Sequence, residues 1–538
     1  KNIQQQSFTV IGIGSMDGDV FGNGMLLSPV TQLLAAVSGE HIFIDPAPVD
    51  LNASFLERKR LFELPRSSWD DYNRQLLSAG GGVFRRDAKA IAVSPELKQW
   101  LEIRYKNIDG ETLIRYLLKA KIELLWLGGI GTYVKASTEN HLEVGDRTND
   151  FVRVDAVEIN ANVVGEGANL AFTQKARIEY ALAGGRINTD AIDNSAGVDI
   201  SDHEVNIKIL LASLQQQKKI IDSPLVFVSV TEQVSQSVLE NNYKQTLCLS
   251  LEQIRCSLQL KAYLQLADQL QTANYFDKEI ESFCQDKEIL ARHPKQLTRP
   301  ELSVLMAASK MYLTQVIFDD AEFLKHDYFE QFLLDYFPRQ ITDDYADDAI
   351  SHPLAQEIKA TCISNKIINQ AGCLFLQLGF DKKTVLESSV CYLIFDQVIG
   401  AESIRQQIFD LDNNINTEHQ YAVLLVIERI LLGFCRWALL NDKKHQPSEE
   451  MLTCYQSYFQ QYQLFFQHNL KDSNSINQQI EHYKQSGYSG ALAENICFIE
   501  SCEDFPYLVS LTVEANSHFL SIFQMYKETS TFLGLDEV

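Results

Sequence analysis

Gly12, Gly14 and Gly18 follow the apolar, β-branched run Phe8-Thr-Val-Ile11, and Gly22 and Gly24 come soon after. A turn that tight needs residues without a Cβ, and its free N–H groups can meet a pyrophosphate at a helix start. The chemistry this would serve is hydride transfer, in which the protein holds cofactor and substrate while the cofactor carries the hydride. A second run, His41-Ile-Phe-Ile44, ends in Asp45, an acid placed to accept from a ribose hydroxyl. The spacing is Gly-x-Gly-x-x-x-Gly, one residue longer than the usual fingerprint. Glycine clusters are also common in ordinary loops.

Three further clusters leave apolar runs in the same way. They are Gly128-Gly-Ile-Gly-Thr-Tyr-Val-Lys135, Gly165-Glu-Gly-Ala-Asn169 and Asn188-Thr-Asp-Ala-Ile-Asp-Asn194-Ser-Ala-Gly-Val198-Asp-Ile-Ser201-Asp-His203-Glu204. Open α/β sheets bind ligands at the carboxyl ends of their strands, which is where these loops fall. Asn169 and Asn194 each carry a donor and an acceptor, suited to a carboxamide or ribose; the plainer alternative is that they hold loop turns. His203 reads as a capping or helix-surface residue before it reads as a general base. Asp202-His203-Glu204 makes no metal site, because adjacent helical residues diverge. A serine-hydrolase elbow is absent, since no Gly-x-Ser-x-Gly occurs.

The elements that would position these loops alternate. Strands are predicted near Phe8–Gly12, His41–Ile44, Ala90–Val93, Glu123–Trp126, Asn162–Gly165 and Arg186–Thr189. Helices are predicted over Met25–Val37, Ala53–Glu63, Gly110–Ala120, Gln174–Ala183 and His203–Leu214, with Asp109 and Thr173 as N-caps. That alternation implies a doubly wound parallel sheet. Beyond about residue 215 the pattern turns helical, with apolar residues at three-to-four spacing in Glu301–Phe318, Pro353–Gly372 and His419–Leu440. Pro300 suits a first helical turn. The expected architecture is therefore an α/β Rossmann-like domain over residues 1–214, then a large all-α helical C-terminal domain over 215–538.

Composition bounds the rest. The 538 residues are 46% hydrophobic and 22% charged, ordinary for a globular protein of two or more domains. A formal charge of −24, without a dense basic run, argues against a nucleic-acid partner. All ten cysteines lie from Cys248 onward without a Cys-x-x-Cys pair, which fits reduced, buried thiols in a cytoplasmic protein and no metal centre. Tyr421–Leu440 is long and apolar, but Glu428, Arg429 and Arg436 interrupt it, so a buried bundle helix is expected rather than a membrane span.

Taken together, the loops resemble the large bacterial NAD-specific glutamate dehydrogenases. The resemblance rests on Gly18-Asp-Val-Phe-Gly-Asn-Gly-Met-Leu-Leu-Ser28, Leu64-Pro-Arg-Ser-Ser-Trp69, Ser78-Ala-Gly-Gly-Gly-Val83 and Gly128–Lys135. Asn194-Ser-Ala-Gly-Val-Asp-Ile-Ser-Asp-His-Glu-Val-Asn206 is the most specific segment, and Leu297-Thr-Arg-Pro-Glu-Leu302 and His352-Pro-Leu354 extend the likeness. The resemblance implies reversible oxidative deamination of L-glutamate to 2-oxoglutarate and ammonia, with NAD as the hydride acceptor. It puts Ser201 on the substrate side-chain carboxylate, Val198 against the substrate, and Asn194 near the nicotinamide ribose. Asn169, Gly128 and Gly129 fall on the cofactor side. Gly12, Gly14 and Ser15 would hold the pyrophosphate and Asp45 the adenosine ribose, an acid that disfavours NADP.

The catalytic lysines and aspartate of such enzymes belong to a substrate domain expected upstream of this chain, so its catalytic residues are unassigned and the chain alone is expected to be poorly active. Lys135 and Arg177 lie near the loops, but a solvated or phosphate-neutralising role suits them better than imine chemistry. Two alternatives stand beside this reading: a dehydrogenase of another amino acid, or a non-catalytic NAD-binding module whose helical half drives homo-oligomer assembly.

Overall fold

Phe8–Ile13 forms strand β1, buried at every residue but Thr9, as a mostly apolar run between neighbouring strands requires. The computed structural model describes residues 1–14, 25–220, 223–441, 449–470 and 474–533. β2 (Thr31–Val37) lies parallel to β1, followed by β3 (His41–Ile44), helix α1 (Leu51–Glu63) and β4 (Gly82–Arg85). After α2 (Gly110–Leu118) come β5 (Leu124–Leu127), β6 (Val163–Glu166) and α3 (Gln174–Leu182). The sheet order is β6-β5-β1-β2-β3-β4. β1 runs parallel to β2 and β5, and β5 parallel to β6, whereas β3 is antiparallel to both its neighbours. The sheet is thus mixed and parallel-rich.

The helix expected over Met25–Val37 is corrected: its second half is β2. Thr31-Gln-Leu-Leu-Ala-Ala-Val37 carries little β-branching, but it is buried on both faces beside β1. A short, fully apolar run of this kind reads equally as buried helix or buried strand. The Ala90–Val93 expectation shrinks to Ile91–Ala92, paired with Asn107–Ile108 apart from the main sheet, and Arg186 makes only an isolated bridge to Val163. Asp109 and Thr173 do cap α2 and α3, accepting from Thr112 N–H at 2.8 Å and Ala176 N–H at 3.1 Å.

Alternate residues of β1 serve opposite faces. Ile11 and Ile13 join a core with Leu113 and Leu117 of α2 and Ala176 of α3. Phe8 and Val10 join a smaller one with Phe43, Leu61 and Trp69. Inside the sheet, Gly165 pairs with Trp126, and a Cβ at Gly165 would stand 2.8 Å from the indole. That glycine makes room for a neighbouring ring.

From α4 (Ser195–Gln216) onward the described residues form helices and their connecting turns. Ile207, Leu210 and Leu214 of α4 pack with Leu333, Phe337 and Ile341. The largest core joins α5 (Ser223–Thr272, bent at Gln259), α6 (Arg299–Phe318), α7 (Ala355–Ala371), α8 (Lys382–Val398) and α9 (Thr417–Leu440). Pro300 sits in the first turn of α6, as expected. Val423, Ile427, Leu431 and Phe434 bury one side of α9, and Glu428 is paired with Arg405. Among the described residues no single helix is long and apolar enough to cross a membrane. All ten cysteines are unpaired, seven of them buried.

Candidate functional site

The carboxyl ends of the four parallel strands β6, β5, β1 and β2 are stitched together. Gly14 N–H donates to Val37 O at 2.9 Å, Gly128 N–H to Ile13 O, and Ala168 N–H to Leu127 O at 3.1 Å. The strand order turns back between β1 and β5, the position where open α/β sheets hold ligands. Gly12 lies inside β1, facing Trp126 on one neighbour and Ala36 on the other, and Gly14 is the first residue beyond the strand. Ser15 lies outside the described residues.

The Gly128–Gly131 loop has an unusual backbone. Gly129 and Gly131 take φ of +133° and +102°, and Ile130 between them takes +63°. For a β-branched residue that conformation is costly, and it persists only where neighbours impose it. Here Asn149 Nδ2 donates to Ile130 O at 3.0 Å, while Asp146 accepts from Asn149 Nδ2 at 2.7 Å and Thr132 N–H at 2.8 Å. Thr132 Oγ1 donates to Leu170 O at 2.6 Å, tying this loop to the next. Among the described residues, a Cβ added to Gly129 would meet nothing nearer than Ala168 Cβ at 4.0 Å.

Asn169 and Asn194 meet directly: Asn194 Nδ2 donates to Asn169 Oδ1 at 3.1 Å. Beneath them is a buried charge network. Arg177 grips Glu166 through two bonds of 2.6 and 3.0 Å and pairs with Asp190 at 3.0 Å, while Asp190 accepts from Leu170 N–H at 2.8 Å. Asp193 accepts from Glu166 N–H at 2.9 Å and from Asn188 Nδ2 at 2.6 Å. Burial pushes the Glu166 carboxyl up, to about 7, against the pull of Arg177. Arg177 is therefore a buried support for the Asn169 loop, and the solvated or phosphate-neutralising role expected for it is corrected. Lys135, expected in the same role, is 8% exposed and paired with Asp155.

Helix α4 starts at Ser195, eight residues before the expected start at His203, with Asn194 at its N-cap position. Val198 and Ser201 are consequently one turn apart on the same exposed face, Val198 at 67% exposure. Ser201 Oγ donates back to Gly197 O at 3.0 Å. His203 is neither cap nor surface residue: it is buried and stacks on Tyr336 with ring centroids 4.2 Å apart.

Asp45 stands apart from this assembly. Because β3 runs against β2, its end falls level with the middle of that strand, and Asp45 N–H donates to Leu34 O at 2.8 Å. The carboxylate is 1% exposed and accepts from Ser78 N–H at 3.0 Å and from the Ser78 hydroxyl. Burial raises its pKa while Ser78 opposes that. Level with the middle of β1 and with its Oδ1 held by Ser78, Asp45 does not sit at the carboxyl end of the strands, where the ribose assignment needs it. The acid that the fold puts beyond the carboxyl end of β2 is exposed Glu40, in the Ser38-Gly39-Glu40 turn. Residue reasoning also passed over Ile130, Asp190, Asp193 and Arg299. Arg299 Nε donates to Asn188 Oδ1 and so reaches the same network from α6. No spacing signal marks these residues, since each acts across tens of residues of chain.

A parallel-rich sheet with glycine loops and paired amides at its central strand ends makes an α/β domain, followed by a helical region. The catalytic-domain model of bacterial NAD-glutamate dehydrogenase matches residues 1–252, and the glutamate dehydrogenase C-terminal model matches residues 294–538. Proteins named NAD-specific glutamate dehydrogenase match at 40% identity in Halomonas elongata, 43% in Pseudomonas aeruginosa and 42% in Mycobacterium tuberculosis, over 81%, 82% and 75% of this chain. The chain belongs to the bacterial NAD-glutamate dehydrogenase family. It spans about a quarter of the length of these relatives, 27%, 28% and 26% respectively.

Proposed function

We propose that the crevice at the β1 and β5 carboxyl ends binds NAD in a Rossmann-like manner, and that the protein oxidises L-glutamate to 2-oxoglutarate and ammonia. The observation that carries this is the convergence of Gly14, Gly128, Gly129, Asn169 and Asn194 at the turn-back of the strand order. In this reading Gly12 shapes the strand end, and Gly14 with Ser15 approaches the pyrophosphate. Gly128 and Gly129 leave space for the dinucleotide, and the two asparagines hold the ribose and carboxamide of the nicotinamide half. NAD, when bound, takes the hydride from the substrate Cα. Glu40 replaces Asp45 as the acid facing the adenosine ribose.

On the exposed start of α4, Val198 packs against the substrate and Ser201 donates to its side-chain carboxylate. The lysine chemistry is assigned to a part of the protein outside this chain, since Lys135 is committed to Asp155. We place the boundary between the two domains near residue 190, ahead of the expected 214, because α4 buries its apolar side with Leu333 and Phe337. The same reading includes a homo-oligomer, to be measured by light scattering, and a cytoplasmic location, in keeping with the unpaired cysteines.

The test is NADH titration by fluorescence beside NADPH. Asn169→Ala, an exposed position, should weaken NADH about tenfold, the worth of a lost ligand hydrogen bond, with an unchanged melting temperature. NADPH binding equal to NADH, or an Asn169→Ala variant that binds like wild type, would sink the assignment. Turnover of L-glutamate against L-leucine by the full-length protein tests the substrate; a preference for leucine overturns it.

A further inference from the structure

A cavity of about 300 Å³ lies between α5, the first turn of α6 and the start of α9. None of the residues assigned to NAD or glutamate lines it. Its inner wall includes Arg299 and Tyr243; Asp412 and Thr417, both exposed, stand at its mouth, with Gln420 and Tyr421 beside them.

Arg299 is the unusual member. Its Nη1 donates to Ser250 Oγ and Gln253 Oε1, both at 3.0 Å, and its Nη2 to Thr246 O at 2.8 Å. Its Nε goes to Asn188 Oδ1. Four of five N–H donors are thus held by neutral acceptors. Among the described residues its guanidinium has no ion pair. Asp193 acts on this largely desolvated cation only through space, from behind Asn188, and an anion entering the cavity would be its direct partner. Asp412 brings the opposite chemistry: its carboxylate accepts from Gln420 Nε2 at 3.1 Å and bonds the Tyr243 hydroxyl. A dianion would be repelled there, whereas a group with an N–H or O–H would be welcomed.

We propose that this cavity binds a small organic acid bearing a hydroxyl or amine donor, its carboxylate on Arg299 and its donor on Asp412. The volume suits an acid of a few carbons, at the lower end of ligand pockets. The site also reaches the proposed cofactor loops. From Arg299 the hydrogen bonds run to Asn188, then Asp193, then the Glu166 N–H, and Asp193 adjoins Asn194. Occupation of the cavity therefore biases the Asn169–Asn194 pair, a consequence that rests on the NAD reading while the binding itself does not.

The experiment titrates this chain with L-lactate, acetate and propane-1,2-diol by calorimetry, with NADH titrated in the same samples. Lactate should bind saturably and at least severalfold more tightly than acetate, and the diol not at all. Asp412→Asn should bring lactate down to the acetate level, and Thr417→Phe, which fills the mouth, should abolish both. Both positions are exposed, so folding is retained. No saturable binding of either acid, equal binding of all three probes, or lactate binding unmoved by both variants would overturn the proposal. NADH binding without acid binding sinks the cavity alone; acid binding without NADH binding sinks the dinucleotide reading alone. Where both bind, lactate should change the NADH affinity severalfold, and by linkage NADH the lactate affinity by the same factor; Asn188→Ala should remove that coupling.

Discussion

Asp45 has a structural partner: its Oδ1 accepts from the Ser78 N–H and hydroxyl. Asp45→Ala should therefore cost about 1–3 kcal/mol of stability through the stranded Ser78 donors, while NADH affinity stays level. Chemical denaturation beside NADH titration separates the two effects. Loss of NADH binding with stability intact would restore Asp45 as a ribose reader. Gly165 carries a similar lesson, since it is glycine for the sake of the Trp126 ring. Gly165→Ala should cost about 1–3 kcal/mol by overpacking, and Trp126→Leu should recover part of that by removing the indole. The polar residues of Gly128–Lys135 were legible as a loop, but not as a brace. Thr132 spends its hydroxyl on Leu170 O, and Tyr133 is fully buried.

At the scale of elements, capping chemistry explains one of the family-like segments outright. Leu297-Thr-Arg-Pro-Glu-Leu302 is the start of α6: Glu301 accepts from Thr298 N–H at 2.8 Å and Thr298 Oγ1 at 2.7 Å, with Pro300 in the first turn. Arg292 closes on the same carboxylate through two bonds of 2.7 and 2.9 Å. Glu301→Ala leaves a mostly buried guanidinium without its partner and should cost about 3–5 kcal/mol, read as a lower denaturant midpoint. A loss under about 1 kcal/mol, the size of a bare cap, would mean that the ion pair contributes nothing. The strand β2 was hidden for the opposite reason. Its burial on both faces erases the alternation that marks a strand, and Leu and Ala suit helices as well.

Over the whole molecule, two histidines tie α4 to the later helices. His203 lies against Tyr336, and His352 Nε2 reaches Asn206 O at 3.1 Å while its Nδ1 accepts from Leu354 N–H at 3.1 Å. Accepting at Nδ1 requires the neutral ring with its proton on Nε2. Burial lowers both pKa values below the ordinary 6.5, with Asp199 and Asp202 opposing at His203 and the Asn206 carbonyl at His352. The unfolded chain thus takes up protons first as pH falls. The contribution of these groups is complete above 6.5 and is lost progressively below it. Urea unfolding at about pH 7.5 and about pH 5.5 should show lower stability at the acid end. His352→Gln, which keeps an Nε2 donor, should flatten the difference; an unchanged slope would rule His352 out as its source.

What the sequence alone determined is local. Apolar runs ending in glycines and N-caps at Asp109 and Thr173 follow from backbone sterics and hydrophobic period, which act over a few residues. What only the tertiary structure decided is which ends of those elements meet. β3 reverses direction and carries Asp45 away from the crevice, α4 begins early enough to put Asn194 on Asn169, and Arg299 arrives from more than a hundred residues away to hold Asn188. Strand pairing and buried polar satisfaction are settled by the whole core at once, because a buried donor must find its acceptor wherever the chain has brought one.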